Sequence, residues 1–190
     1  MTLSSTGWPL RSFAFASACG LASACGEPLA IVDVQWTFVD GSHPISNCGL
    51  NATEPAGNTA LTYSLLPRLR LFACEDRNDV TACLKQAPVV ERVFSCRAKR
   101  GSLVDVPAAD EPYLIDVDVL IEITGQAPFA ANARCVARPG PRWRKISGGN
   151  LVDLAVYQFV VDRSQTATDV LGCAQPASAV LRSEPLANPT

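Results

Sequence analysis

The sequence is poor in the groups on which most chemistry depends. Histidine occurs once, at His43. That single imidazole sits in Gly41-Ser42-His43-Pro44 with no glycine-framed nucleophile beside it, and a serine or cysteine hydrolase needs its base next to its nucleophile. No Cys-x-x-Cys pair occurs, so the cysteines do not have zinc-site spacing. No glycine-rich phosphate loop or dinucleotide fingerprint appears. Neither a cofactor nor a metal is expected. Charged residues make up only 18% and the net charge is −2, which leaves no broad positive field for nucleic acid. No run approaches the roughly 20 apolar residues needed to cross a bilayer.

What is present is apolar, turn-rich and cysteine-rich. Apolar residues reach 48% of 190, enough for the core of one ordinary domain. There are 14 Pro and 12 Gly, which suit many turns. Eight cysteines spread along the chain read as disulfides in an oxidising compartment.

The clearest element is Tyr113–Thr124. Tyr113, Ile115, Val117, Val119, Ile121 and Ile123 share one parity, and a period of two with β-branched residues predicts a strand. The other parity carries Asp116, Asp118 and Glu122, so that face is expected to meet water and the sheet to be antiparallel. Paired carboxylates can serve acid–base chemistry or calcium, but a solvated face is the expectation here. Ile31–Val39 alternates in the same way, with Trp36 expected in the core, and Asp40-Gly41 turns the chain.

Ser42–Thr59 reads as a long loop held at Cys48. Ala60–Leu66 is ambiguous and should end at Pro67, with a separate strand over Arg68–Cys74. Further strands are expected at Val89–Arg97, Ser102–Val106, Ala131–Arg138 and Leu151–Val161, the last with a bulge near Tyr157. Glu75–Asp79 offers oxygen ligands, but Arg77 sits among them and the calcium-loop glycine is missing. About seven short strands without a long helix predict an all-β, antiparallel β-sandwich over residues 31–163. Residues 164–190 are expected to form a loose segment. Tyr113, just after a turn, resembles the tyrosine-corner position of immunoglobulin-like folds.

The N-terminus reads as an export signal over residues 1–24. Arg11 precedes the apolar run Ser12–Ala24, too short for a membrane span. Leu21-Ala22-Ser23-Ala24-Cys25-Gly26 resembles the lipobox of bacterial lipoproteins, with Ala22 where that family has Leu. The resemblance implies acylation of Cys25 as the mature N-terminus. Ala22-Ser23-Ala24 also suits ordinary signal peptidase cleavage, and Ala16-Ser17-Ala18-Cys19 is a second candidate. Parity favours Cys25, because cleavage there leaves six other cysteines that can pair fully. Gly26 in place of Asp favours the outer membrane. The tether Gly26–Ala30 spans at most roughly 17 Å, so the body should lie close to the headgroups.

Trp36-Thr37-Phe38, Cys48, Phe94-Ser95-Cys96, Val106-Pro107 and Tyr113–Val117 resemble a bacterial lipoprotein pattern. In it a sandwich of the carboxypeptidase-regulatory or transthyretin type follows the lipobox. The resemblance covers about Ile31–Thr124 and implies fold and location only. Six cysteines allow fifteen pairings. A local Cys74–Cys83 bridge around the polar loop is the best single choice; the family likeness suggests Cys48–Cys96, which leaves Cys135–Cys173.

Arg138, Arg142, Trp143, Arg144 and Lys145, with Arg134, form a basic patch containing an aromatic. Contact with anionic lipid or lipopolysaccharide phosphate is the sensible role for it outside the cytoplasm, and a solvated loop is the default. The expectation is a non-catalytic, lipid-anchored envelope protein, a binding or structural module for an envelope protein, glycan or lipid. The competing expectation is a secreted or anchored hydrolase, or hydrolase inhibitor, that uses the Ser42–Thr59 loop.

Overall fold

The computed structural model describes residues 29–53 and 60–174. Two sheets face each other. The first contains β1 (Leu29–Asp40), β2 (His43–Pro44), β6 (Arg100–Pro107), β9 (Val136–Ala137) and β11 (Leu151–Val161). The second contains β3 (Gly49–Thr53), β4 (Ala60–Phe72), β5 (Val90–Val93), β7 (Tyr113–Ile123), β8 (Phe129–Ala130) and β10 (Arg142–Arg144). The fold is an all-β sandwich, and its only helices among the described residues are α1 (Val80–Cys83), α2 (Arg163–Thr168) and two 3₁₀ turns. Seven of the strands have four residues or more.

The core forms where alternating faces meet. Val32, Val34, Trp36 and Phe38 of β1 pack with Leu103, Val106, Leu154, Tyr157 and Phe159 of the same sheet. Opposite them stand Tyr63, Leu65, Leu69 and Leu71 of β4 and the odd positions of β7. Tyr113 donates its hydroxyl to the Pro107 carbonyl at 3.1 Å, six residues upstream, which is tyrosine-corner geometry.

Three local expectations give way to tertiary effects. One pair is parallel: β1 runs beside β11, with Ile31 opposite Leu151 and Phe38 opposite Phe159. The bulge lies at Leu154–Ala155, slightly before Tyr157, where Ala155 takes φ +63°. β4 passes straight through Pro67. Its first half pairs with β3 as far as Ser64 and its second half with β5 from Arg68. Pro67 accepts from Phe94 on that same edge, so its missing N–H falls in the gap between the two partners.

Other segments differ as well. Ser42–Thr59 is not one loop, since it holds β2 and β3; residues 54–59 lie outside the described set. Ala131–Arg138 is not one strand, because Asn132 closes a turn onto the Arg134 and Cys135 amides. Residues 164–174 are part of the fold: α2 buries Thr166, and Cys173 is buried against Cys135. β1 includes Leu29 and Ala30, expected from the sequence to belong to the tether.

Three bridges staple the sandwich: Cys48–Cys96, Cys74–Cys83 and Cys135–Cys173, with Cα separations of 5.7, 5.6 and 5.6 Å. They place the folded body outside the reducing cytoplasm. No helix among the described residues is long and apolar enough to cross a membrane.

Candidate functional site

The carboxylate face of β7 does not meet water. Asp116 is fully buried and Asp118 nearly so, while Glu122 alone is exposed. The cause is register. β4 sets Arg68 opposite Asp118 and Arg70 opposite Asp116 on the same outer face. Arg68 grips Asp118 through Nε at 2.9 Å and Nη2 at 2.6 Å, a bidentate pair. Arg70 Nη2 reaches Asp116 at 2.6 Å and Asp118 at 3.1 Å. Arg138 closes on the other oxygen of Asp116 and also donates to the Val117 carbonyl at 3.3 Å. Glu91 lies 3.7 Å from Arg68. The hydrogen bond to Asp118 raises the Arg68 pKa further above its usual value. Three guanidinium groups thus face three carboxylates, and the charge is spent within the network. Arg70 Nε is buried in it without a hydrogen-bond partner among the described residues, and the paired charges let the network cover the outer face of the sheet.

This network also divides the predicted basic patch. Arg138 is committed to Asp116. Arg142 lies over the Tyr157 ring, 5.6 Å from its centroid. Trp143 packs on Phe72, Leu114 and the Cys74–Cys83 bridge. Arg144, Lys145 and Arg134 remain exposed. The acidic loop is likewise engaged. Asp76 accepts from the Asn78 amide, Asp79 caps α1 by accepting from Ala82, and Arg77 pairs with Glu111.

The sandwich is open beside the middle of β1. Along one edge of β1, pairing with β6 stops at Gln35 and pairing with β2 resumes at Val39. Only two backbone bonds hold the interval: Trp36 donates to Lys99 O at 3.0 Å, and Phe38 accepts from Ile45 at 2.8 Å. A cleft of about 750 Å³ enters between the sheets there. Trp36, Phe38, Leu65 and the Cys48–Cys96 bridge line its depth, and Gln35, Thr37, Ser46 and Asn47 supply amides and hydroxyls. Arg97 and Lys99 line it as well, neither with an ion-pair partner among the described residues.

Two features mark the cleft as more than a packing gap. The Trp36 ring is 3% exposed, and its Nε1 is buried without an acceptor. Lys99 holds φ +55° at the end of the turn Cys96–Ala98, a left-handed conformation that disfavours a lysine. The two unpaired cations favour an anionic group there. The segment Pro44–Gly49, which carries Cys48, separates this cleft from a smaller one of about 290 Å³ lined by Asp40, His43 and Arg163. His43 is exposed there and makes no hydrogen bond to Ser42 or Ser46 among the described residues.

Sequence reasoning placed Trp36 and Cys48 but missed the cleft, whose walls come from five separate stretches of chain. Cys25, Cys19 and residues 1–24, expected to be an export signal, lie outside the described residues. No protein-family model, curated protein or solved structure matches the chain.

Proposed function

We propose that the chain is a lipid-anchored, non-catalytic β-sandwich of the outer membrane that holds a ligand or partner in the cleft beside Trp36. The observation that carries this reading is the cysteine arrangement. Six cysteines satisfy one another in three bridges, which leaves Cys25, at the end of a lipobox-like segment, with no thiol in the folded body to pair with. The bacterial lipoprotein likeness of the sandwich supports the same location. Several acyl chains on Cys25 supply a stable anchor. Arg97 and Lys99 favour an anionic glycan as the bound group.

Mass spectrometry of the mature N-terminal peptide and detergent partitioning of Cys25→Ser test the reading together. An acylated Cys25 and loss of partitioning in the variant are expected. A free or absent Cys25 in the mature protein would refute it.

A further inference from the structure

One end of the sandwich is apolar where a soluble surface would be polar. Leu29 and Ile31 of β1, Val104 of β6 and Leu151 of β11 are 47, 44, 53 and 62% exposed. They are neighbours on the outer face of the first sheet. Ile31 stands directly opposite Leu151. On its other side the β1–β6 register shifts between Ala30 and Val32, and this places Val104 and Asp105 across from Ile31. Asp105 makes that bulge with φ +59°, which keeps both Leu103 and Val106 in the core and turns Val104 out. The next outward pair is Asp33 opposite Asp153, which interrupts the apolar surface; farther along β11 the only large exposed apolar residues are Val156 and Val160, separated by Gln158.

We infer that this end is a membrane-contact surface that seats on the bilayer interface and orients the domain. The inference rests on the reading of Cys25 as the acylated residue. Leu29 follows Cys25 by four Cα–Cα steps, at most roughly 14 Å of chain. The acyl chains therefore enter the bilayer within that distance of Leu29, and the apolar patch surrounds Leu29. Lipid is the occupant whose position the chain itself dictates. Arg144 and Lys145 belong to this end too. Arg144 pairs with Tyr113 of β7, Tyr113 bonds to Pro107, and Pro107 pairs with Leu29. Asp105, beside Val104, sets a negative charge against those of Arg144 and Lys145 at this end, so the apolar residues carry the contact and the cations only permit an anionic surface.

The test uses the full, processed protein in phosphatidylethanolamine–phosphatidylglycerol vesicles doped with a phospholipid bearing a photoreactive group near its headgroup. Cross-linked peptides are mapped with the disulfides intact. Labelling at Leu29–Ile31, Val104 and Leu151 is expected, with loss of labelling at Val104 and Leu151 in Ile31→Asn and in Leu151→Asn while both variants stay vesicle-bound. Each variant must keep its near-ultraviolet circular dichroism. Labelling spread over the surface, or confined elsewhere, with Cys25 acylated would overturn the inference and leave the anchor standing. Chain-to-chain cross-links through Ile31 or Leu151 would assign the face to a second copy and overturn it as well. An unacylated Cys25 overturns both readings.

Discussion

Removing the Asp116 carboxylate separates a buried charge network from a solvated carboxylate face. In Asp116→Ala, Arg138 loses its only carboxylate and Arg70 keeps one contact, to Asp118 at 3.1 Å. Breaking a buried pair from one side costs about 3–5 kcal/mol, because the remaining charge stays desolvated. Here the two arginine side chains retain 19 and 18% exposure, so water can partly reach them. The low end, about 3 kcal/mol, is the expected cost. That is a large share of the roughly 5–15 kcal/mol holding an ordinary domain together. At about 2–4 °C per kcal/mol for a domain of this size, the melting temperature should fall by about 6–12 °C. Glu122→Ala is the control, on the same face of the same strand but exposed, and it should stay within about 0.5 kcal/mol of the parent. Urea denaturation and thermal melts of the oxidised proteins measure both. If the two variants lose stability equally and slightly, the arginines do not depend on Asp116 and the register argument fails. An Asp116→Ala/Arg138→Ala cycle should return a coupling of about 0.5–3 kcal/mol, since the pair is in contact.

The Cys48–Cys96 bridge closes a separation of 48 residues, and the chain-entropy relation gives about 4 kcal/mol for it against about 2.6 for Cys74–Cys83 with its separation of 9. Double Ser variants compared by urea midpoint should keep that order. A Cβ on Gly101 would fall onto the Phe94 ring, which lies tilted against Trp36 with centroids 5.3 Å apart, so Gly101→Ala should cost about 1–3 kcal/mol and shift the Trp36 fluorescence. Burial raises the pKa of Tyr63 and Tyr157, outweighing the Thr166 hydrogen bond to the first and Arg142 beside the second. The unfolded chain then loses these protons first. Stability is intact below about pH 10 and falls as pH rises through the folded values. Phenolate absorbance should show both rings ionising together with unfolding, and independent early titration would contradict their burial.

Strands with strong alternation were legible from residue order alone. β1, β7 and β11 each follow a period of two, and Leu151–Val161 keeps its predicted bounds despite a bulge. Alternation reports which residues share a face, however, and not what covers that face. Asp116 and Asp118 were placed on one side correctly, and only the β4–β7 register reveals that Arg68 and Arg70 lie across from them. Both arginines already shared one parity in the sequence, so the signal was present but incomplete. Pro67 misled because a proline normally ends a central strand. Its tolerance depends on a gap between β3 and β5 that no local window contains. Ala131–Arg138 misled for a different reason, because alternating alanines carry little burial preference and Asn132 captured the turn. The cleft was beyond reach, since β1, the Pro44–Gly49 segment, Leu65 and Arg97–Lys99 meet only in three dimensions.

β1 links the two proposals physically. Its start carries the apolar end, and its far half carries Gln35–Phe38 at the cleft. From Leu29 to Thr37 a strand advances roughly 26 Å at about 3.3 Å per residue. A domain seated on lipid by Leu29 and Ile31 therefore presents the cleft well away from the headgroups, toward whatever occupies the aqueous space. The pairing of β1 keeps that spacing rigid. β11 lies along one edge from Ile31 to Val39, and β6 and β2 cover the two ends of the other. The stretch Trp36–Phe38 is the interruption, and it is bordered by the Cys48–Cys96 bridge. A bare stretch of central strand would otherwise invite pairing with another chain. Here the Cys48–Cys96 bridge and the Pro44–Gly49 segment border it, so that the interval is the wall of a cleft rather than an open strand edge.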